Sequence, residues 1–159
     1  MSIKRVLISG LVCLSALAPL AVAQRGDMDP DIKNFKLSME KVRAYDGAIH
    51  KLFAASAADP SMQDSFKDAT SKKTLNDMVA TVEHTPKLMG VVKSSGLSTR
   101  EFCIIPMSLM AAGGAYMIQT EYKKDASSLA LPENIAFYGK NKVELEKITN
   151  SWNQPRQKE

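Results

Sequence analysis

Residues 102–118 have the sequence FCIIPMSLMAAGGAYMI, and this stretch decides the fold class of the chain. It carries no charged side chain, and Ser108 is its only clearly polar residue. A surface helix is apolar on one stripe, so a segment that is apolar all round has to be enclosed by other parts of the chain or by lipid. We therefore predict a helix buried at the centre of a bundle. A membrane span needs about 20 apolar residues, slightly more than this stretch provides, and Pro106 and the paired glycines also disfavour a span.

The flanking residues predict where this central helix begins. Ser98, followed three residues later by Glu101, has the spacing of a capping box, in which the two side chains satisfy free N–H groups of the first turn. Pro106 removes one backbone hydrogen bond and predicts a kink. Gly113 and Gly114 each cost about 1 kcal/mol relative to alanine. We expect such glycines where a neighbouring helix approaches closely.

The first 23 residues have the pattern of a secretory signal peptide. Lys4 and Arg5 precede an apolar segment at 6–18, and the small residues Ala21 and Ala23 predict cleavage before residue 24. We therefore expect an exported protein, periplasmic or secreted, that is not an integral membrane protein once cleaved. Cleavage would remove two of the 21 basic residues and none of the 17 acidic ones, which lowers the formal net charge from +4 to +2. That nearly neutral charge argues against nucleic acid as a partner.

The rest of the chain shows helical spacing of apolar residues and no alternation typical of strands. We predict an all-α fold, a single-domain bundle of four to five helices around the buried, kinked central helix. Residues 24–30 are expected to form a flexible arm, 31–153 the bundle domain and 154–159 a frayed tail. Cleavage of the signal peptide would leave Cys103 as the only cysteine, so no intramolecular disulfide is expected.

One face of the central helix carries sulfur atoms. A thiolate and thioethers could bind a soft ion such as Cu(I), although methionine and a single cysteine are also ordinary core residues. The two histidines could hold a noncovalent haem, but they lack the Glu-x-x-His spacing of di-iron bundles. The alternative hypothesis of a copper-binding or haem-binding protein therefore rests on a small set of candidate ligands, namely Cys103, Met107, Met110, His50 and His84.

No catalytic residue and no cofactor are predicted, because the sequence contains no phosphate loop, nucleophile elbow or zinc-binding helix motif. The preferred hypothesis is a non-enzymatic binding or interaction module for an unknown protein or a small apolar ligand, with the oligomeric state left open. Polar and aromatic candidates for such binding lie at the mouth of the central helix and on the last two helices. They are Arg100, Glu101, Tyr116 and Tyr138, for which capping and packing are the alternative roles.

Two segments in the C-terminal part carry a resemblance. Residues 96–102 (GLSTREF) precede the apolar helix, and residues 131–137 (LPENIAF) precede the last helix. This arrangement resembles a group of small exported bacterial all-helical proteins of unassigned function, in which a Gly-Leu-Ser/Thr-x-Arg-Glu-Phe turn precedes a buried helix. The resemblance implies a helical fold and export, and it implies no catalytic residues.

Overall fold

The computed structural model describes residues 28–152, and every regular element within that range is an α-helix. The all-α prediction is confirmed, but the described residues form seven helices where four to five were expected. The signal peptide, most of the 24–30 arm and the tail at 154–159 lie outside the described residues. In chain order the helices are α1 Pro30–Asn34, α2 Met39–Ala58, α3 Pro60–Thr70, α4 Leu75–Glu83, α5 Pro86–Ser95, α6 Thr99–Glu121 and α7 Pro132–Trp152.

The additional helix at the start arises because α1 and α2 are separated by an extended segment. The buried side chain of Asn134, from α7, stabilises the extended conformation of this segment. Its amide nitrogen donates to the carbonyl oxygen of Phe35 at 2.6 Å, and its carbonyl oxygen accepts from the backbone N–H of Leu37 at 3.0 Å. Ser38 then begins α2 as its N-cap, accepting from the backbone N–H of Lys41. A tertiary contact therefore interrupts a stretch in which the apolar residues otherwise follow helical spacing.

Local signals set the boundaries of the short helices α3 and α5. Asp59 caps α3, and Pro60 occupies its first turn, where a missing N–H has no consequence. Pro86 begins α5 in the same way. Gly96 ends α5 in the left-handed conformation at φ 79°, which favours glycine.

Helix α6 is the predicted central helix, and its capping box is confirmed. The Ser98 hydroxyl accepts from the backbone N–H of Glu101, while the Glu101 carboxylate accepts from the N–H of Ser98, both at 3.1 Å. The helix packs against α1, α2, α4, α5 and α7. Phe66 of α3 also reaches it, with its ring centroid 6.4 Å from that of Phe102. Inside α6, the Ser108 hydroxyl donates to the backbone oxygen of Ile32 at 2.8 Å, which satisfies the one polar side chain of the stretch.

The prediction that α6 is enclosed on every side is wrong for its C-terminal half. Met110 is 58% exposed, and Met107, Gly114 and Met117 are only partly buried. The reason is length: α6 has 23 residues, whereas α4 and α5 have nine and ten. At 1.5 Å per residue α4 and α5 are each about 15 Å long or less, whereas α6 is about 35 Å long. Both contact the start of α6, where Arg100 donates to Asn76 of α4 and Thr99 donates to the sulfur of Met89 in α5, and neither is long enough to cover the whole of α6.

Of the helices in the described part of the chain, α6 alone has the length and the composition that a membrane span requires. Its most apolar window has a mean hydropathy of 1.4, and 44% of that window is buried inside the chain. The buried part contains Ile105, which has no exposed surface. A core helix of a soluble bundle has the same properties, so length and composition do not separate the two interpretations.

Candidate functional site

A groove lies between α6 and α7, close to the loop 122–131 that joins them. The two helices are antiparallel, since Phe102 near the start of α6 and Trp152 at the end of α7 both contact the ring of Tyr45, with ring centroids about 5 Å apart. The groove has a volume of about 380 Å³, which falls in the lower part of the range of roughly 300–1,000 Å³ seen for small-molecule sites. It is lined by Tyr116, Gln119, Thr120, Pro132, Ile135, Ala136, Gly139 and Lys140.

Two glycines allow the aromatic side chains of the groove to lie between the helices. A Cβ atom added at Gly139 would lie 2.5 Å from Cε2 of Tyr116. One added at Gly113 would lie 2.8 Å from Cε2 of Tyr138. Each tyrosine therefore lies against a glycine of the opposite helix, and the two rings contact each other with centroids 5.7 Å apart. Burial raises the pKa of the Tyr138 hydroxyl.

Several polar groups that line the groove have no intramolecular partner among the described residues. The Tyr116 hydroxyl, the Gln119 amide and the Lys140 ammonium make no hydrogen bond or ion pair within residues 28–152. The Thr120 hydroxyl, by contrast, donates to the backbone oxygen of Tyr116 at 2.9 Å. Three donors and an apolar wall therefore share one concave surface, the arrangement that orients small ligands in binding sites.

Arg100 and Glu101, the other two candidates for binding, lie at the opposite end of α6 and are already engaged. Arg100 donates to the side-chain oxygen of Asn76 at 3.1 Å and pairs with Asp31. Glu101 pairs with Lys41 at 2.9 Å, and this bond, followed by those with Ser98, lowers the pKa of the carboxyl group. These contacts connect the start of α6 to α1, α2 and α4.

The four candidates therefore do not form one site. Arg100 and Tyr116 are sixteen positions apart in the same helix, a separation of about 24 Å along its axis. Tyr116 and Tyr138 are brought together, and of the two only Tyr116 lines the groove. Arg100 and Glu101 make capping and ion-pair contacts at the far end of the helix.

The sulfur-bearing face of α6 passes from the core to the surface. Cys103 is 2% exposed, Met107 is partly buried, and Met110 is exposed. Burial, and secondarily the charge of Glu83, raises the pKa of the Cys103 thiol to about 12. The copper alternative stays a prediction that no contact in the described residues supports.

His50 belongs to a polar cluster at the end of α7 that resembles a catalytic triad only in its residue types. Asp46 Oδ1 and Ser151 Oγ approach the same ring nitrogen, Nε2, at 3.3 and 3.4 Å. A triad requires the carboxylate and the hydroxyl at opposite ring nitrogens. The Ser151 hydroxyl also donates to the backbone oxygen of Ile148 at 2.7 Å, and Asp46 accepts from the Trp152 indole at 2.8 Å. This cluster attaches the end of α7 to α2.

His84 lies elsewhere, at the C-terminal end of α4. It is exposed, and its Nδ1 atom lies 2.6 Å from the backbone oxygen of Ala80. Within residues 28–152, no three His, Cys, Asp or Glu side chains are grouped closely enough to hold a metal ion. His50 and His84 are therefore not assembled with Cys103 into a common site of that kind.

A second, larger groove of about 800 Å³ lies on the outside of α4, and its polar groups are mostly used within the helices. The Thr81 and Thr85 hydroxyls donate to backbone oxygens one turn earlier, each at 2.8 Å. Lys72 pairs with Asp68 at 2.8 Å. The groove is open to solvent and is lined by Ser71, Lys72, Lys73, Asp77, Ala80, Thr81, His84 and Thr85.

Sequence reasoning identified Tyr116 but missed Lys140, Gln119 and Gly139, which share its groove. A signal was present, because a glycine inside a helical segment and next to a tyrosine is typical of a close helix contact. The partner of that glycine could not be assigned without the tertiary structure. Asn134, the buried residue that holds the α1–α2 segment, was also missed.

Comparison with known proteins gives no relative for this chain: no protein-family model, no curated protein and no solved structure matches it.

Proposed function

We propose that this chain is an exported, non-enzymatic helical-bundle protein that binds a small, largely apolar ligand in the groove between α6 and α7. The observation that carries the proposal is the groove itself, in which partner-free donors face an apolar wall. Tyr116, selected from the sequence as a binding residue, lines this groove.

The shape of the groove supports ligand binding over simple helix packing. The α6–α7 contact is tight at the two glycine–tyrosine contacts, where a single added methyl group would clash. Next to these contacts, the small side chains of Ala136 and Pro132 line the space of about 380 Å³. A concave surface with an apolar wall and a few polar groups is the form that small-molecule sites take.

The non-enzymatic part of the proposal is supported by the state of the reactive side chains. The single thiol of the described residues, Cys103, is buried and held protonated by its raised pKa. The Asp46, His50 and Ser151 cluster has the geometry of a helix attachment. Efficient nucleophilic catalysis requires an activated nucleophile within reach of a base, and neither group has that arrangement.

Export is supported by the leader pattern of residues 1–23, which lies outside the described residues. Expression of the whole chain followed by cell fractionation tests it. We expect the protein in the periplasm or the medium, with an intact mass that lacks residues 1–23. Retention of the full-length mass in the membrane fraction would contradict export.

Ligand binding is tested by a titration of the exported protein with octan-1-ol, followed by heteronuclear NMR. We expect the amide signals of Ala136, Gly139 and Lys140 to shift together and to saturate. Ala136→Phe fills the groove and should abolish the shifts. Val143→Phe is the matched control, because Val143 lies on the same helix, is 83% exposed and does not line the groove.

The two variants distinguish binding in the groove from nonspecific binding of octan-1-ol elsewhere on the protein. If both bind octan-1-ol as the unchanged protein does, or if the shifts are scattered over the surface, the groove is not a ligand site. Far-ultraviolet circular dichroism of each variant checks that the helices are intact, so a negative result cannot be assigned to unfolding.

A further inference from the structure

We infer that the ligand of the α6–α7 groove is an amphipathic carboxylate, a molecule with one negatively charged head and an apolar body. This inference rests on the proposed function and adds the chemical class of the ligand. Its basis is the position and the ion-pair state of Lys140, the one charged side chain that lines the groove.

Lys140 lacks a partner because the acidic residue nearest to it in the helix is used elsewhere. Glu144 lies four positions later, the spacing at which a lysine and a glutamate pair on a helix surface. Instead, Glu144 accepts two hydrogen bonds from the Arg43 guanidinium of α2, at 2.7 and 3.1 Å. Both nitrogens donate to the same carboxylate oxygen, Oε1, and the pair lies at the surface. Glu144 thus has its ion-pair partner on α2 and makes no ion pair with Lys140 within residues 28–152.

Lys142, the second lysine near the groove, has an ion-pair partner within its own helix. Lys142 pairs with Glu146 at 3.7 Å, and its ammonium lies 5.9 Å from the centroid of the Tyr116 ring. The cation–π contact favours the observed position of that ring on the groove wall. Among the described residues 28–152, one positive charge without an ion-pair partner is thus left at the groove, that of Lys140.

The other lining groups match the rest of such a ligand. The Tyr116 hydroxyl and the Gln119 amide can each donate to a carboxylate oxygen, and Pro132, Ile135 and Ala136 supply an apolar wall. A carboxylate carries one negative charge, which equals the single free cation. A phosphate monoester carries about 1.5 to 2 negative charges at neutral pH and would remain partly uncompensated.

The test compares three probes that share an eight-carbon chain, octanoate, octan-1-ol and octylammonium, in NMR titrations of the exported protein. We expect octanoate to bind tighter than octan-1-ol and octylammonium to bind weakest. Lys140→Gln should weaken octanoate about two- to fivefold, the size expected for an exposed ion pair, and should leave octan-1-ol unchanged. Lys147→Gln, an exposed lysine of the same helix that does not line the groove, should alter neither.

The outcomes distinguish this inference from the proposed function. If octan-1-ol and octanoate bind the groove equally, or if Lys140→Gln and Lys147→Gln weaken octanoate equally, the carboxylate assignment is wrong and the groove remains a ligand site. If none of the probes shifts the groove amides, both proposals fail. Ala136→Phe should block octanoate and octan-1-ol alike, whereas selective loss of only one would contradict a shared site.

Discussion

The adjacent glycines of α6 provide a sensitive test of how α6 packs on α7. A Cβ atom added at Gly114 would meet no atom within 4 Å, whereas one added at Gly113 would lie 2.8 and 2.9 Å from Cε2 and Cζ of Tyr138. The expectation from sequence that both glycines serve a close helix contact is therefore right for Gly113 and wrong for Gly114. We expect the substitutions Gly113→Ala and Gly114→Ala to have clearly different effects on stability.

The expected changes in the free energy of unfolding follow from two opposing effects, helix propensity and overpacking. Alanine in a helix interior is favoured over glycine by about 1 kcal/mol, so Gly114→Ala should raise the free energy of unfolding by about that amount. Gly113→Ala has the same favourable effect on helix propensity, but the added methyl group forces the Tyr138 ring to move. Overpacking of this kind costs about 1–3 kcal/mol. The free energies of unfolding of the two variants should therefore differ by about 1–3 kcal/mol, with Gly114→Ala the more stable.

Urea unfolding followed by far-ultraviolet circular dichroism measures this difference, provided that the urea dependence of the unfolding free energy is the same in both variants. A double-mutant cycle identifies its source. In a Tyr138→Ala background the obstructing ring is absent, so Gly113→Ala should become stabilising by about 1 kcal/mol. Equal stability of the two single variants, or an unchanged effect of Gly113→Ala without the tyrosine ring, would refute the packing described above.

Three further predictions concern the core and the thiol. Asn134→Ala should lower the free energy of unfolding by about 2–4 kcal/mol, because it removes the hydrogen-bond partner of the buried Leu37 N–H and of the partly buried Phe35 carbonyl. A loss below about 1 kcal/mol in urea unfolding would contradict this. Met110→Gln should change the free energy of unfolding by less than about 0.5 kcal/mol. Leu109→Ala, one residue earlier and 3% exposed, should lower it by about 2–5 kcal/mol. If thermal or urea unfolding showed equal losses of stability in both variants, the Met110 side of α6 would have to be covered. The raised pKa of the Cys103 thiol predicts a stability contribution that is fully present below about pH 9 and is lost as the pH rises toward 12, because the unfolded thiol releases its proton first. Urea unfolding between about pH 8 and about pH 11 should therefore show a shallower decline for Cys103→Ala than for the unchanged protein, and parallel declines would show that the thiol does not contribute.

Much of the local structure could be predicted because it depends on neighbouring residues. The capping box of Ser98 and Glu101, the proline that begins α5 and the glycine that ends it all act within one helical turn. The break between α1 and α2 could not be predicted in this way. It depends on Asn134, which lies 97 positions after Leu37 in the chain.

In the candidate site, too, some features could be predicted from the sequence and others depend on the tertiary structure. Tyr116 and Tyr138 could be selected as aromatic residues on the last two helices, and the structure brings them together. Arg100 and Glu101 could be selected as polar residues at a helix mouth, but Asp31, Asn76 and Lys41 engage them. A charged residue is available to a ligand only when no other part of the fold has paired with it, and spacing along one helix does not reveal such pairs.

The sequence by itself predicted the all-α class that residues 28–152 show, since helical periodicity, caps and an uncharged apolar segment are local properties. Only the tertiary structure decided which part of α6 stays open, because coverage depends on which helices pack against each turn of α6. It also decided that Lys140 has no ion-pair partner within residues 28–152, where Glu144, one turn later in the same helix, pairs with Arg43 of α2.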